Sequence, residues 1–350
     1  MSETLLKVGM IGAGSISNAH LKAAKEGAGV EVVAVCDIIE ERAKIRSEEY
    51  DIPEVYTDHE TLLKKADVDA VIIGVPNAVH HVIAINALKA GKHVLCEKPM
   101  AINVAAAEQM VAAAQDADKV LQVGLVHRMR PEAQYLRNLV VSGELGNVYY
   151  AKAMMIRRKG IPGWGSWFTT KEESGGGPLI DIGVHALDLA WFMIGNPKPV
   201  SVTGVTATAF GPYKRGVGKW GIPNWEGKYD VEDFAGGFVR FENGAVINLE
   251  VSWALHMPPE TRINVCGEKK GALTAFNSTL QLYSEVDGEL VDEPMEFEKT
   301  SMFNTQLKRF VAAVKGEEPV ITPGEHGLIV NRMLEAIYES AAAGEEVRLD

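Results

Sequence analysis

The sequence predicts an α/β protein of two domains, a doubly wound N-terminal domain with a parallel sheet and a second domain rich in two-faced strands. Three observations predict it. The 350 residues are about twice a typical domain of roughly 150. The first third alternates short β-branched runs with longer helix-patterned stretches. From about Gly143 the pattern changes to strands of period two. The chain is 47% hydrophobic and 23% charged, average for a globular protein, which excludes wholesale disorder. No apolar run approaches the ~18–20 residues of a membrane span. Thirty-five Lys and Arg against 47 Asp and Glu give a net charge of −12, which argues against nucleic acid or an anionic membrane as partner. Cys36, Cys96 and Cys266 lie far apart and read as reduced packing residues, neither a disulfide set nor a zinc site. Met1-Ser2-Glu3-Thr4 has no basic region or apolar stretch of a signal peptide, so a cytoplasmic location is expected.

In the first domain, strands are expected at Leu6–Ile11, Glu31–Cys36, Ala70–Val75, His93–Glu97 and Val120–Gly124. Their nearly continuous apolar character suits a sheet covered on both faces. Helices are expected near Ser17–Glu26, Glu40–Glu49, His59–Lys65, Ala78–Ala90 and Val104–Ala117. Strand followed by helix, repeated, dictates parallel strands with right-handed crossovers.

The first turn reads Gly12-Ala13-Gly14-Ser15-Ile16-Ser17. Gly12 can make the tight turn out of the strand, and Gly14 lets backbone approach a pyrophosphate. The helix N-terminus that follows supplies N–H groups and a positive dipole end, and Ser15 and Ile16 are expected among the cofactor contacts. Ser17 replaces the third glycine of this Rossmann fingerprint with another small residue. Asp37 ends the second strand near the spacing at which a carboxylate meets the adenosine ribose. It would repel a 2′-phosphate, so NAD is expected in preference to NADP. Ligands of open α/β sheets bind beyond the carboxyl ends of the strands. Val75-Pro76-Asn77 and Glu97-Lys98-Pro99 end two strands, so Pro76, Asn77, Glu97 and Lys98, with His80 after the first, are expected to bind the cofactor. The pair His80-His81 at a helix start reads as a capping or solvated pair, not a metal site, and no cluster has zinc spacing. The division is placed at 1–125 for the dinucleotide-binding domain and 126–350 for the second.

The second domain shows strand patterns at Asn147–Arg157, Pro199–Phe210, Asp233–Glu242, Ala245–His256 and Arg262–Gly267. Ile247, Leu249, Val251, Trp253 and Leu255 alternate with polar residues, so one sheet face is apolar and the other polar. Glu242-Asn243-Gly244 suits a hairpin turn. Pro178–Ile194 and Gly324–Ala343 read as helices. Two aperiodic stretches exceed ordinary connections: Lys159–Gly177, with Trp164, Trp167 and Phe168, and Gly211–Asp230, with Tyr213, Trp220, Trp225 and Tyr229. Their aromatics suit either the apolar faces of sugar rings or burial against a neighbouring subunit.

Four features in order resemble the glucose–fructose oxidoreductase / inositol dehydrogenase (Gfo/Idh/MocA) family. They are the Gly12-Ala13-Gly14 turn, Val75-Pro76-Asn77, Glu97-Lys98-Pro99, and Gly175-Gly176-Gly177 leading into Asp181-Ile182-Gly183-Val184-His185. The resemblance implies a Rossmann domain followed by an α/β domain with a large open, mainly antiparallel sheet. It implies a nicotinamide-dependent oxidation of a ring hydroxyl of a sugar or cyclitol, with Lys98, Asp181 and His185 as the catalytic group. It further implies a homodimer or homotetramer formed through the C-terminal sheet.

The chemistry of alcohol oxidation fits those residues. The hydroxyl proton must leave as hydride departs from carbon, and His is the side chain whose pKa suits a base near pH 7. Asp181 and His185, four apart, share one helix face. His185 is assigned as base, Lys98 as the cation that stabilises the developing alkoxide, and Asp181 as the group that orients the hydroxyl or imidazole. The three are also expected to contact substrate, with His127, Arg128, Trp164 and Trp167. Arg157 and Arg158 could serve equally, or face solvent at a strand end. Two rival functions are a hydrolase or lyase that uses NAD transiently, and a non-catalytic NAD-bound sensor.

Overall fold

All five expected strands of the Rossmann pattern form, because each apolar run is long enough for a strand and is followed by a helical stretch. The computed structural model describes residues 5–349; Met1–Thr4, on which the expectation of no leader rests, lie outside the described residues. In chain order come β1 (Leu6–Ile11), α1 (Ser15–Lys25), β2 (Val30–Cys36), α2 (Glu40–Tyr50), β3 (Glu54–Tyr56) and α3 (His59–Lys65). They are followed by β4 (Ala70–Ile73), α4 (His80–Lys89), β5 (His93–Cys96), α5 (Val104–Ala117) and β6 (Leu121–Val123). The chain continues through α6 (Pro131–Val141), β7 (Val148–Ile156), α7 (Lys171–Ser174), α8 (Val184–Met193) and β8 (Pro199–Ala207). Next are β9 (Phe234–Phe241), β10 (Val246–Ser252), β11 (Glu260–Gly267), β12 (Lys270–Thr274), β13 (Thr279–Val286) and β14 (Glu289–Glu296). The last elements are α9 (Met302–Val314), α10 (Gly324–Ala343) and β15 (Val347–Arg348).

The chain divides into two compact units. One comprises the residues up to Met129 together with Ser301–Asn331, the other Arg130–Thr300 together with the residues from Arg332 onward. In the first unit, six strands pair in parallel in the order β3-β2-β1-β4-β5-β6. The order reverses between β1 and β4, which is the position where an open sheet of this kind opens a crevice at its carboxyl edge. The short β3 adds a strand that the hydrophobic pattern does not announce. α9 returns to this unit from far along the sequence. Its Leu307, Phe310 and Val311 enter the core of Val8, Met10, Leu21, Val35 and Leu95, and each such fully buried side chain stabilises by about 1.5–3 kcal/mol.

The second unit is built on nine strands in the order β14-β13-β12-β11-β7-β10-β9-β8-β15. All pairs are antiparallel except β10 with β7. Ile247, Leu249 and Val251 of β10 are fully buried on the face that α8 covers. On the other face Lys152 and Glu250 pair at 2.9 Å, and Val205 and Tyr283 remain exposed. Pro294 lies in β14, an edge strand, where a missing N–H costs no ladder bond.

Candidate functional site

In the first unit, the β1–α1 turn is shaped by its glycines. Gly12 has φ +98°, and a Cβ there would run into the Gly74 carbonyl oxygen just past β4. Only glycine satisfies both constraints. Gly14 is different: its φ is −72° at the N-cap of α1, and nothing lies within 4 Å of where its Cβ would be. That space lies against the N-terminus of α1, a cradle for a phosphate. Ser15 is exposed and Ile16 half-buried at the mouth of the turn. Ser17 is buried, donates to the Gly14 carbonyl at 2.6 Å and accepts from Arg46 Nε at 3.2 Å. It therefore fastens the turn from inside. Asp37 accepts from the Ala13 N–H at 2.8 Å and the Ile39 N–H at 2.9 Å, tying the end of β2 to the glycine turn. These residues fit a dinucleotide: a small-residue turn, unfilled space at a helix N-terminus, and a carboxylate at the adjacent strand end.

The ends of β4 and β5 are locked together by His80. This ring is buried, with Nδ1 2.8 Å from the Pro99 oxygen and Nε2 2.9 Å from the Val75 oxygen. Burial holds its pKa below the ordinary histidine range, against the two carbonyls, which favour the charged form. It is thus neither a solvated nor a capping residue, as its place at a helix start suggests; it positions the turns that carry Pro76, Asn77 and Lys98. Glu97 is buried as well. Its carboxylate meets His20 Nε2 at 2.8 Å and accepts from the Lys98 N–H at 3.2 Å. Burial alone would push the Glu97 carboxyl up, but the His20 hydrogen bond and the charges of His20 and Lys98 together hold it below the usual range. Glu97 links α1 to the strand end and holds the backbone of Lys98, which follows it at a cis Lys98–Pro99 bond. From Val94 to Met100 every residue is buried except Lys98.

After β6, His127 is half-buried and Arg128 fully buried. The Arg128 guanidinium donates to the Ile321 oxygen at 3.1 Å and meets His326 Nδ1 at 2.8 Å. These bonds tie the end of β6 to the 321–326 segment.

In the second unit, the glycine run and the helix behind it are held from a distance. Glu232 accepts from the Gly177 N–H at 3.0 Å, the Leu179 N–H at 3.1 Å and the Tyr338 hydroxyl at 2.8 Å. Burial pushes its carboxyl up despite those donors. A Cβ on Gly176 would collide with the Tyr338 hydroxyl, and one on Gly177 with the Glu232 carbonyl. Close packing therefore requires both glycines. The next turn, Leu179–Gly183, is π-helical and leads into α8. A single π turn in a helix is a frequent mark of a functional site. Between Gly176 and Ile194 every residue is buried except Asp181 and His185. Asp181 accepts from the indole N–H of Trp253 at 3.0 Å, and Trp253 is itself fully buried at the end of β10.

The two long stretches pin each other. Asp233 accepts from the N–H groups of Ala209, Phe210 and Gly211 at 2.7–3.0 Å. Trp164 is buried, donates to the Gly211 oxygen at 2.8 Å, and stacks on Trp225 and Tyr229. It packs these loops together. Trp167 lies against Phe168 and is half-buried. Among the described residues no group of three or more His, Cys, Asp and Glu is arranged to hold a metal, and no helix is long and apolar enough to cross a membrane.

Sequence reasoning misses Glu232, Asp233, Trp253 and Tyr338. The one local signal is the acidic pair Glu232-Asp233 at the entrance to an apolar strand, where solvent-facing residues would not need a partner.

Residues 6–125 match the model of the oxidoreductase family with an NAD-binding Rossmann fold, GFO_IDH_MocA. Residues 133–273 match that of the GFO/IDH/MocA C-terminal domain. The chain is 36% identical over 354 aligned residues to the D-glucoside 3-dehydrogenase of Escherichia coli K12, covering 100% of this chain and 99% of that one. It is similar in structure to an oxidoreductase domain protein from Kribbella flavida, with a TM-score of 0.89, 27% identity and 99% and 100% of the two chains covered. The fold is shared with levoglucosan dehydrogenase, solved in complex with NADH and levoglucosan, at a TM-score of 0.88, 22% identity and coverage of 98% and 99%. The chain belongs to the Gfo/Idh/MocA family of oxidoreductases.

Proposed function

We propose that the protein is an NAD-dependent oxidoreductase that oxidises a ring hydroxyl of a sugar, cyclitol or related polyol. The observation that carries this is that three side chains alone are half-buried where all around them is buried. Lys98 stands out of a buried strand end, and Asp181 and His185 stand out of a buried helix. Similarity over its whole length to a D-glucoside 3-dehydrogenase supports a sugar ring as substrate and a glucoside as the first to test.

Gly12, Gly14, Ser15 and Ile16 would hold the pyrophosphate, and Asp37 the ribose hydroxyls. Because Asp37 is anionic, NAD is preferred over NADP. NAD, when bound, supplies the acceptor for the hydride of the carbinol carbon. His185 takes the proton of the substrate hydroxyl. Lys98 stabilises the charge that grows on that oxygen. Asp181, held by the Trp253 indole, orients the hydroxyl or the imidazole. Trp167 and His127 contribute ring and edge contacts to the substrate. Val205 and Tyr283 on the uncovered sheet face support self-association of the protein through that face.

The test is NADH formation with methyl glucosides, inositols, hexoses and pentoses, repeated with NADP. Substrate-dependent NADH is expected, and His185→Ala should lose about 10²–10⁴-fold in turnover while NAD binding persists. Full turnover in that variant would overturn the assignment of the base.

A further inference from the structure

Within the second unit lies an open, solvent-facing cavity of about 940 Å³ whose walls carry no carboxylate. It is bounded by the residues after β7, the start of the loop after β8, and the residues after β10. Arg157, Arg158 and Lys159 enter it from the first of these, Lys214 and Arg215 from the second, and His256 from the third. Phe210 and Trp225 supply aromatic wall. In a chain of net charge −12, five permanent cations around one hollow are a local inversion of sign.

These cations are not consumed by the fold. Among the described residues none of the five forms an ion pair with an Asp or Glu, although the chain makes many such pairs elsewhere. Two are steadied by rings instead. The Lys214 ammonium lies 5.0 Å from the Trp164 ring centre and donates to the Trp225 oxygen at 2.9 Å. The Arg215 guanidinium lies 5.4 Å from the Phe210 ring centre. All five side chains are exposed along this open groove, so their like charges sum to a positive potential over the hollow that attracts an anion. Arginine forks match phosphate and carboxylate oxygens in pairs. An aromatic wall beside them suits the apolar face of a sugar ring.

We infer that this cavity binds an anionic carbohydrate, through a phosphate or carboxylate held by Arg157, Arg158 and Arg215 with the ring against Trp225. The inference goes beyond the oxidoreductase reading and does not require it, because binding is measured without turnover.

The experiment is calorimetric titration of the full chain with inorganic phosphate, glucose 6-phosphate, glucuronate and glucose. Glucose 6-phosphate or glucuronate should bind at least about tenfold more tightly than glucose, as one charge-assisted contact supplies. The stronger of the two identifies phosphate ester or carboxylate as the anion. Inorganic phosphate should compete, and raising salt from about 50 to about 300 mM should weaken binding severalfold. The double variant Arg158→Gln/Arg215→Gln should lose about tenfold or more in affinity, with NAD binding and melting temperature unchanged. The exposed control Lys89→Gln should behave as the parent. Equal or absent binding of charged and neutral sugars, or a double variant that binds as well as the parent, would overturn the inference. So would a double variant that fails to self-associate and a parent that binds none of the probes, since the cavity would then receive an acidic segment of another copy.

Discussion

Gly12 and Gly14 sit two residues apart in one turn, yet alanine at each should fail in a different way. At Gly12 the added methyl meets a backbone carbonyl that cannot rotate aside, and φ is +98°. The left-handed backbone alone costs about 1–2 kcal/mol for a residue with a Cβ, and the collision adds about 1–3 kcal/mol of overpacking. Gly12→Ala should therefore lower the stability of the first unit by about 2–5 kcal/mol. At ~2–4 °C per kcal/mol for a unit of this size, the melting temperature should fall by roughly 4–20 °C. At Gly14, φ is −72° and the space around the new Cβ is empty. Gly14→Ala should melt within about 2 °C of the parent, since surface changes away from such features are worth about ±0.5 kcal/mol. Its methyl would occupy the approach to the helix N-terminus, so NAD affinity should drop about 5- to 150-fold, the equivalent of ~1–3 kcal/mol of crowding. Differential scanning fluorimetry and NAD titration read the two effects separately. A Gly14→Ala protein with parental NAD affinity, or a Gly12→Ala protein with parental stability, would refute the reading of this turn.

Three other outcomes follow from the same geometry. Asp37→Ser should narrow the preference for NAD over NADP by about tenfold or more, because it removes a carboxylate that repels a 2′-phosphate; the ratio of the two dissociation constants reads it. Glu232→Ala strands the Gly177 and Leu179 N–H groups and the Tyr338 hydroxyl, and should cost about 2–5 kcal/mol in chemical denaturation, against about 1 kcal/mol for Tyr338→Phe. The third concerns acid. The Glu97 pKa is depressed from 4.5 in the folded state, so its stabilisation is present above that value and is lost as pH falls through the folded pKa. The His80 pKa is depressed from 6.5, so the unfolded chain takes up a proton first and stability declines as pH falls below about 6.5. Melting temperature against pH should show both declines, and Glu97→Gln should flatten the lower one alone.

Much of the first unit is legible because its determinants are local. Gly12, Gly14 and Asp37 obey rules of turn chemistry and strand-end topology that span a few dozen residues. The partial exposure of Lys98 follows from its place after a four-residue apolar strand. The second unit resists the same treatment. The carboxylate that holds Gly177 and Leu179 comes from Glu232, and the hydroxyl against Gly176 from Tyr338, both brought in by long-range packing. The π turn at Leu179–Gly183 leaves the apolar pattern of an ordinary helix intact, so spacing alone cannot reveal it. Arg128 and Trp164 have types and positions that suit a ligand, and nothing local foretells their burial or the backbone carbonyls they bond. α9 carries a clear helical stripe in Phe303, Leu307 and Phe310, but nothing local says that it joins the core of β1 and α1.

The central claim is that a C–H hydrogen of a sugar ring passes to the nicotinamide. A methyl glucoside deuterated at its ring carbons, incubated with the protein and NAD, tests it directly by mass spectrometry of the reduced cofactor. The account predicts NADH one mass unit heavier than that formed from the unlabelled sugar. Reduced cofactor without the label, or a ketone product with no reduced cofactor, would contradict it.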